Sequence, residues 1–448
     1  MEDRKLARII SKNSHTTYGM RYGFSDVKNI ADFQRKVPIT TYEDYIPYIE
    51  KIKSGGQNIL TKEPVLLLES SSGSTAAKKL IPYTKGLKHE FSSAIGKWLW
   101  DLNKNFPQLK YGQLYFSITP QAAESDGIVG FNSDDEYIGG VLGRLVANKF
   151  CVPDSVKTIL DMEDFWTATI HYIKCAKNLR FVSIWNPTFL LIMLEKARMK
   201  PKELFPHLAV ISCWADGNSK PYAKKLQKAF PDVYIQPKGL LATEGIMTIP
   251  IEGVGKQLTN AHFFEFIDKK GDVRLKDELD IGGEYEIILT TSGGLYRYNI
   301  GDIVRYNGND CFDFIGKSGN VSDYFGEKLN EVHVRKVIEG NGFRLLVPTG
   351  NKYTLYCETD SGNGIGNDSS NGIGIGIDSG VDIDIIDKKL RENFHYDYCR
   401  RLGQLEKAEL VKVKNGEQQY IDNCLSFGMR LGDIKPAYLS NREGWIFK

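Results

Sequence analysis

Hydrophobic and polar positions alternate with helical spacing at the start of the chain. Residues 3–50 have this spacing, which a Gly/Asn/Ser-rich stretch interrupts first and Pro38, Thr40 and Pro47 interrupt later. Proline lacks the backbone N–H that a helix interior needs, so these positions are expected to separate helices. The pattern therefore predicts several short helices rather than one long one.

Short apolar runs further along predict strands. Residues 65–68 are apolar and run into small hydroxylic residues, which predicts a buried strand that leads into a loop. Apolar runs at 208–213 and 233–236 enclose a basic helical segment at 222–230. Strand, helix and strand in this order are typical of a βαβ unit and favour an α/β fold. A further helix is predicted to start at Asn186 and Pro187.

The pattern changes to closely spaced strands after residue 284. Four of them are predicted, at 285–290, 295–298, 303–306 and 312–315. Their tyrosines, Tyr296, Tyr298 and Tyr306, are expected to pack within the sheet.

Closely spaced glycines at 316–320 predict the boundary between two domains. A domain at 1–315, with mixed sheets, helices and a small β-meander, is followed by a hinge at 316–320 and a smaller α/β domain at 321–448. Seven glycines in residues 361–380 predict a flexible insertion there. The fold class is α/β.

Composition narrows the possible partners. The 448 residues carry 58 Lys and Arg against 56 Asp and Glu, so the formal net charge is +2. No large basic surplus is available for neutralising nucleic-acid phosphates, and no apolar run approaches the roughly 20 residues of a membrane span. Seven cysteines are scattered without a metal or redox spacing. We expect a cytoplasmic protein with reduced thiols, including a core Cys213, and without a nucleic-acid or membrane partner.

Two segments have the composition of a nucleotide-binding site. The hydroxyl-rich loop at 71–82 offers backbone N–H groups, hydroxyls and a lysine, a set that suits a polyphosphate. Thr243 and Glu244 follow a predicted strand, and a hydroxyl beside a carboxylate can bind a phosphate and its Mg²⁺ together. Taken alone, each segment is more typical of a structural turn.

Two further segments come later in the chain. Asp302 follows a glycine between two predicted strands, where its carboxylate can accept hydrogen bonds from a ribose diol. The segments at 314–319 and 326–331 then combine glycines with lysines. Each of these signals is weak, but their order and spacing together are specific.

This order of motifs resembles the superfamily of adenylate-forming enzymes, which couple a carboxylate to ATP. The chain is most similar to the auxin-responsive Gretchen Hagen family of acyl acid amido synthetases and its microbial relatives. The likeness extends over nearly the whole chain and includes the opening segment at 37–45 and Arg401–Leu405 in the C-terminal part. It implies a large adenylate-forming domain and a smaller, mobile C-terminal lid.

The resemblance implies a role for each site residue. Lys328 and Lys435 resemble the catalytic lysines near the hinge and on the C-terminal domain, and Glu244 resembles the Mg²⁺ ligand. The loop departs from the family in having Ala76 and Ala77 where glycines are common. A candidate adenine-side loop is 214–217. The implied nucleotide-binding residues are Ser71, Ser72, Ser74, Thr75, Lys79, Ala242, Thr243, Glu244 and Asp302.

The function that the resemblance implies is ATP-dependent activation of a carboxylic acid as acyl-AMP. The acyl group would then pass to an amine such as an amino acid, with ATP and Mg²⁺ as cofactors. Fixed lysines, Mg²⁺ and backbone donors suit this chemistry because it moves negative charge onto pyrophosphate. An acyl-CoA or carrier-protein ligase and a non-catalytic nucleotide-binding homologue remain alternatives. The sequence identifies neither the acid nor the amine.

Overall fold

The computed structural model describes residues 2–70, 79–117, 149–159, 161–216, 219–318, 321–322, 325, 327, 329–340, 342–358, 381–401, 404–429 and 431–448. They belong to two compact units, Met1–Ile315 and Gly316–Lys448. The predicted glycine-rich insertion at 361–380 lies outside the described residues. The roles of the units as nucleotide-binding domain and lid stay predictions.

The described residues of the first unit form helices and four sheets. Its helices are α1 (Glu2–Lys12), α2 (Thr17–Arg21), α3 (Ile30–Lys36), α4 (Tyr42–Lys53), α5 (Lys85–Asn105), α6 (Met162–Cys175), α7 (Pro187–Ala197), α8 (Pro201–Leu204) and α9 (Lys220–Ala229). Two short antiparallel pairs are β1 (Val65–Ser70) with β2 (Leu80–Thr84) and β7 (Leu241–Ala242) with β8 (Gly245–Ile246).

A parallel sheet confirms the predicted βαβ unit. It consists, in this order, of β3 (Gln113–Phe116), β4 (Leu179–Ser183), β5 (Val210–Cys213) and β6 (Tyr234–Pro237). Helix α9 connects β5 to β6. Helix α7 begins as predicted, with the Asn186 side chain accepting a hydrogen bond from the Thr188 N–H.

The predicted β-meander is part of a larger sheet of seven strands. Its spatial order is β12–β11–β13–β14–β15–β10–β9. The strands are β9 (Thr248–Ile251), β10 (Gly255–Leu258), β11 (Phe263–Ile267), β12 (Val273–Arg274), β13 (Glu284–Thr290), β14 (Tyr298–Gly308) and β15 (Cys311–Lys317). The predicted strand at 303–306 lies within β14. The strand predicted at 295–298 was wrong, because residues 295–297 are not in a strand and β14 begins only at Tyr298. Within β14, pairing with β13 continues on both sides of an irregularity.

Two local expectations were wrong. Pro47 lies inside α4 and does not end it. A capping box, in which Thr41 N–H donates to Asp44, and the buried Tyr45 and Ile49 stabilise this helix despite the lost hydrogen bond. Strand β1 forms as predicted but is not buried throughout, because Leu66 on its outer face is 51% exposed.

The second unit has its own hydrophobic core. Its strands are β16 (Val321–Ser322), β17 (Leu329–Asn330), β18 (Arg344–Thr349), β19 (Lys352–Glu358) and β20 (Glu409–Val413). Its helices are α10 (Glu331–Ile338), α11 (Ile383–Leu390), α12 (Phe394–Arg401) and α13 (Gly416–Ser426). Strands β18, β19 and β20 form one sheet, with β19 and β20 parallel. The α/β fold class predicted from the sequence is confirmed in both units.

Neither unit offers a membrane span among its described residues, since no helix there has both the length and the apolar character to cross a bilayer.

All seven cysteines are free, and Cys213 is fully buried, as expected. Burial raises the pKa of the Cys213 thiol to about 12, so the thiol is protonated near neutral pH.

A buried arginine joins the N-terminal helices to the seven-stranded sheet. Arg297 Nε donates to Glu265 Oε2 over 3.0 Å, and Arg297 Nη1 donates to the carbonyls of Gln34 and Val37 over 2.9 and 2.8 Å. The Arg297 backbone has φ +48°, in the left-handed region that costs a residue with a Cβ about 1–2 kcal/mol. Thr40 N–H donates to the Arg297 carbonyl over 2.9 Å.

We predict that Arg297→Met lowers the free energy of unfolding of the first unit by about 3–5 kcal/mol, because it leaves the Glu265 carboxylate buried without its cation. The double variant Arg297→Met/Glu265→Gln should be more stable than the single one. Arg305→Met, which removes a surface pair with Glu284, is the control and should cost less than about 1 kcal/mol. Urea unfolding followed by tryptophan fluorescence measures all three, and equal losses for Arg297→Met and Arg305→Met would contradict the prediction.

Candidate functional site

Part of the predicted site lies outside the described residues. This applies to Ser71, Ser72, Ser74 and Thr75 of the hydroxyl-rich loop and to Lys328. Their roles therefore stay predictions. Lys79, Ala242, Thr243, Glu244, Asp302 and Lys435 are described.

The C-terminal end of the hydroxyl-rich loop is held against helix α4. The Lys79 ammonium lies 5.7 Å from the centroid of the Tyr42 ring, within the range of a cation–π contact. The next residue, Leu80, begins β2, and its N–H donates to the Tyr42 hydroxyl over 2.7 Å. Tyr42 belongs to the opening segment at 37–45, so two of the motifs meet here.

Thr243 and Glu244 form the turn between β7 and β8, which we call the Thr-Glu turn. The Tyr83 hydroxyl donates to the Thr243 carbonyl over 2.7 Å, which ties the turn to β2. Glu244 is 9% exposed. Burial raises the pKa of the Tyr298 hydroxyl, and the Glu244 carboxylate is the largest charge that adds to this rise. Glu244 therefore acts electrostatically on Tyr298, at the start of β14.

A buried histidine and a buried glutamate hold the Thr-Glu turn in place. The Ile246 N–H donates to His262 Nε2 over 3.0 Å, so the imidazole proton is on Nδ1, which lies 3.1 Å from Glu90 Oε2. Glu90 also accepts a hydrogen bond from the Ser292 hydroxyl over 2.6 Å. It thus contacts the loop that precedes Arg297 in the sequence. A Cβ on Gly245 would come within 2.9 Å of His262 Nε2, so glycine is required for this close approach.

Asp302 lies in a β-bulge within β14 rather than between two strands as predicted. Glu286 pairs with Ile303 and Ile288 pairs with Asn299, so a step of two positions along β13 corresponds to a step of four positions along β14. Gly301 takes up the distortion with φ +73°, and its N–H donates to Asn299 Oδ1 over 2.8 Å. The Asp302 side chain is 3% exposed. Bulges commonly re-aim a side chain beside a functional site, which is compatible with the predicted ribose contact.

The predicted adenine-side loop is anchored by a residue that the sequence did not single out. Lys256, on β10, forms ion pairs with Asp216 of this loop and, over 2.6 Å, with Asp313 on β15. Burial raises the pKa of Asp216, and the Lys256 charge opposes this only in part. Burial also acts to raise the pKa of Asp313, but the Lys256 contact outweighs it and the pKa is lowered. Gly217, the last residue of the loop, lies outside the described residues.

Two motif residues are described in the second unit. Lys435 is exposed, and its carbonyl accepts a hydrogen bond from the Tyr420 hydroxyl over 2.7 Å. Glu327, beside Lys328, is fully buried and accepts hydrogen bonds from the Tyr353 hydroxyl and, over 2.7 Å, from the Phe325 N–H. These hydrogen bonds fix the Glu327 side chain.

Sequence reasoning missed Glu90, His262 and Lys256. Glu90 is 172 residues from His262, and Lys256 is 40 residues from Asp216, so these pairs join distant parts of the chain. The residues next to Glu90 and Lys256 in the sequence do not identify a partner.

Comparison with known proteins shows the family to which the chain belongs. Sequence models of the GH3 family match in three parts: the N-terminal domain at residues 1–204, the central domain at 256–317 and the C-terminal domain at 339–444. A jasmonoyl–L-amino acid synthetase, JAR4 of Nicotiana attenuata, is 23% identical over 76% of this chain and 72% of its own. An indole-3-acetic acid-amido synthetase, GH3.2 of Arabidopsis thaliana, is 22% identical over 80% of this chain and 81% of its own.

Solved structures have the same fold. The AtGH3.15 acyl acid amido synthetase, in complex with 2,4-DB, has a TM-score of 0.78 at 18% identity and covers 99% of this chain and 91% of its own. A 2-hydroxyisobutyryl-CoA ligase in its postadenylation state has a TM-score of 0.59 at 12% identity, over 92% and 85% of the two chains. The fold is that of the adenylate-forming ligases. Within that class, the chain belongs to the GH3 family, as the sequence motifs indicated.

We predict that the His262 acceptor is needed for nucleotide binding. His262→Asn keeps a polar group near Nδ1 but leaves the Ile246 N–H without an acceptor, whereas a Gln amide oxygen can reach the position of Nε2. A lost buried hydrogen bond costs about 1–3 kcal/mol, so His262→Asn should weaken ATP binding about tenfold and His262→Gln less than about threefold. Calorimetric titration with ATP measures this, with the exposed His207→Asn as the control. Equal affinities for the Asn and Gln variants would contradict the proposed role of Nε2.

Proposed function

We propose that this protein is an ATP-dependent acyl acid amido synthetase. It activates a carboxylic acid as acyl-AMP and transfers the acyl group to an amine such as an amino acid. Membership of the GH3 family supports the reaction class. The single structural observation that carries the proposal is the Thr-Glu turn. It carries the nearly buried Glu244 carboxylate, and its backbone is held by the Tyr83 hydroxyl and by the His262–Glu90 pair.

The residues at the turn suit ATP and Mg²⁺. Mg²⁺ is usually held by one or two carboxylates together with substrate phosphates and waters, so one carboxylate, that of Glu244, meets the requirement. Among the described residues, no cluster of three or more His, Cys, Asp or Glu side chains forms an all-protein metal site. When bound, Mg²⁺ would neutralise phosphate charge in the proposed reaction.

In the first half-reaction, a carboxylate oxygen of the acid attacks the α-phosphorus of ATP, and pyrophosphate leaves. Thr243 supplies a hydroxyl for a phosphate oxygen, and Lys79 supplies positive charge at the end of the hydroxyl-rich loop. Asp302 accepts hydrogen bonds from the ribose diol. These fixed groups stabilise the charge that moves onto pyrophosphate.

In the second half-reaction, the amine nitrogen attacks the acyl carbon, an amide bond forms, and AMP leaves with the electron pair of the broken C–O bond. Mixed anhydrides of this kind react readily with amines, so no covalent enzyme intermediate is needed. Lys328 and Lys435 act on the phosphate oxygens in one of the two steps. A lysine that belongs to a separate unit is suited to a step-specific role.

The test is carboxylate-dependent exchange of pyrophosphate into ATP, screened with aromatic, indolic and aliphatic acids. We predict exchange with one class of acid and its loss when EDTA removes Mg²⁺. Addition of an amine to the unchanged protein with its acid and ATP should then yield an amide, whereas product formation only with a thiol would favour a CoA or carrier-protein ligase. ATP binding without exchange for any acid would overturn the proposed activity.

Asp302→Ala should lower kcat/KM for this exchange at least about a hundredfold without unfolding the protein, because the buried carboxylate would no longer hold the ribose.

We further predict that Lys435→Ala slows one half-reaction at least about tenfold more than the other, since its charge is used in only one step. Pyrophosphate exchange measures the first half-reaction. Amide formation from isolated acyl-AMP measures the second. The control is Lys412→Ala, at an exposed position on β20 of the same unit. Equal losses in both half-reactions would contradict a step-specific role.

A further inference from the structure

Three tryptophans and a lysine meet at the carboxyl edge of the parallel sheet. Lys238 follows β6, Trp185 follows β4 and Trp214 follows β5, while Trp98 comes from helix α5. All four side chains are partly exposed. Open α/β sheets bind their ligands at this edge.

The lysine is held between two indole rings. Its ammonium lies 5.1 Å from the Trp98 ring centroid and 4.8 Å from that of Trp185, and it donates to the Ser183 hydroxyl over 2.7 Å. Both distances are within the range of cation–π attraction. The rings therefore fix the position of the ammonium and cover part of it from water.

The rings themselves are held in place. Trp98 Nε1 donates to Gln236 Oε1 over 2.9 Å, and the rings of Trp185 and Trp214 have centroids 5.8 Å apart with planes tilted by 43°. Aromatic rings at such distances attract one another beyond the effect of their burial. The arrangement is a set of indole faces around a cation, which we call the Trp-Lys site.

A short, rigid connection joins the Trp-Lys site to the Thr-Glu turn. Lys238 N–H donates to the Cys213 carbonyl over 2.8 Å, and Leu240 N–H donates to Thr248 Oγ1 over 2.7 Å. Between them, Gly239 packs so closely on β9 that a Cβ would lie 1.9 Å from the Thr248 carbonyl oxygen. This backbone therefore holds Lys238 at a fixed place, five residues before Thr243.

We propose that the Trp-Lys site binds the acid substrate and that this acid is a flat aromatic carboxylic acid. The inference rests on the proposed function, which leaves the acid open. The Lys238 ammonium provides the charge that attracts the carboxylate, and the indole faces of Trp185 and Trp214 pack against the aromatic ring.

The chemistry of the site favours a flat ring over a saturated chain. A carboxylate gains a charge-assisted hydrogen bond from an ammonium. A π-system gains stacking or edge contacts with indole that a saturated ring of similar size lacks. Benzoate and cyclohexanecarboxylate differ mainly in this respect, so they separate aromatic recognition from general hydrophobic burial.

The experiment is calorimetric titration of the full chain with benzoate, indole-3-acetate and cyclohexanecarboxylate. It is done in the presence of Mg²⁺ and the α,β-methylene analogue of ATP, which blocks adenylate formation. At least one aromatic acid should bind about fivefold or more tighter than cyclohexanecarboxylate. Lys238→Met keeps the apolar stem but removes the charge, and it should weaken binding of that acid about tenfold. Trp185→Leu should reduce the aromatic preference to less than about twofold.

Two matched variants control for nonspecific effects. Trp100, on the same helix as Trp98 but 65% exposed, is changed to Leu, and Lys202, with an 88% exposed side chain, is changed to Met. Both should bind the acids as the unchanged protein does. A thermal midpoint and a titration with the ATP analogue verify that every variant is folded.

The outcomes separate this inference from the proposed function. Equal or tighter binding of cyclohexanecarboxylate, no binding of either aromatic acid, or unchanged binding by Lys238→Met would each overturn the Trp-Lys site as an aromatic acid site. Pyrophosphate exchange with an aliphatic acid would then leave the amido synthetase proposal standing. If aromatic acids bind through Lys238 but only an aliphatic acid supports exchange, the Trp-Lys site is not the substrate site and the activity stands. If aromatic acids bind through Lys238 and no acid of any class supports exchange, the activity is overturned while the site remains an aromatic-acid site.

Discussion

The buried guanidinium of Arg297 is the contact on which the architecture of the first unit depends. It neutralises Glu265 in the seven-stranded sheet and donates to the carbonyls of Gln34 and Val37 at the end of helix α3. Because a guanidinium carries five donors in a fixed plane, it can join three chain segments that no apolar side chain would hold together. Strand β14, which contains Asp302, begins at the next residue.

The candidate site is built on that frame by a second set of buried polar contacts. The Ile246 N–H needs an acceptor because it lies inside the protein, and His262 provides one while Glu90 fixes its tautomer. Through Ser292, the same glutamate reaches the loop that leads to Arg297. The Thr-Glu turn and the start of β14 are thus held by one connected network, which fixes the turn in one arrangement. Under the proposed function, this pre-organises the turn for a charged ligand.

Much of the fold followed from local patterns. The βαβ unit, the start of helix α7 and the strands β13 and β15 form where apolar runs and capping residues predict them, since each depends on interactions within a few residues. The errors have equally physical causes. Pro47 is tolerated because packing of Tyr45 and Ile49 outweighs one lost hydrogen bond. Asp302, expected between two strands, lies in a bulge within one strand, because pairing of β14 with β13 continues on both sides of it.

The sequence by itself determined the family and the α/β fold class and supplied the candidate motif residues, because these depend on the order and type of residues along the chain. Only the tertiary structure decided which distant side chains support those motifs. Glu90 beside His262, Lys256 between Asp216 and Asp313, and Lys238 between two tryptophans all join residues from separate elements. Such pairs form because a charge or hydrogen-bond donor that becomes buried on folding needs a partner close to it in the folded protein. The distance between two residues along the sequence does not show whether they become neighbours in the fold.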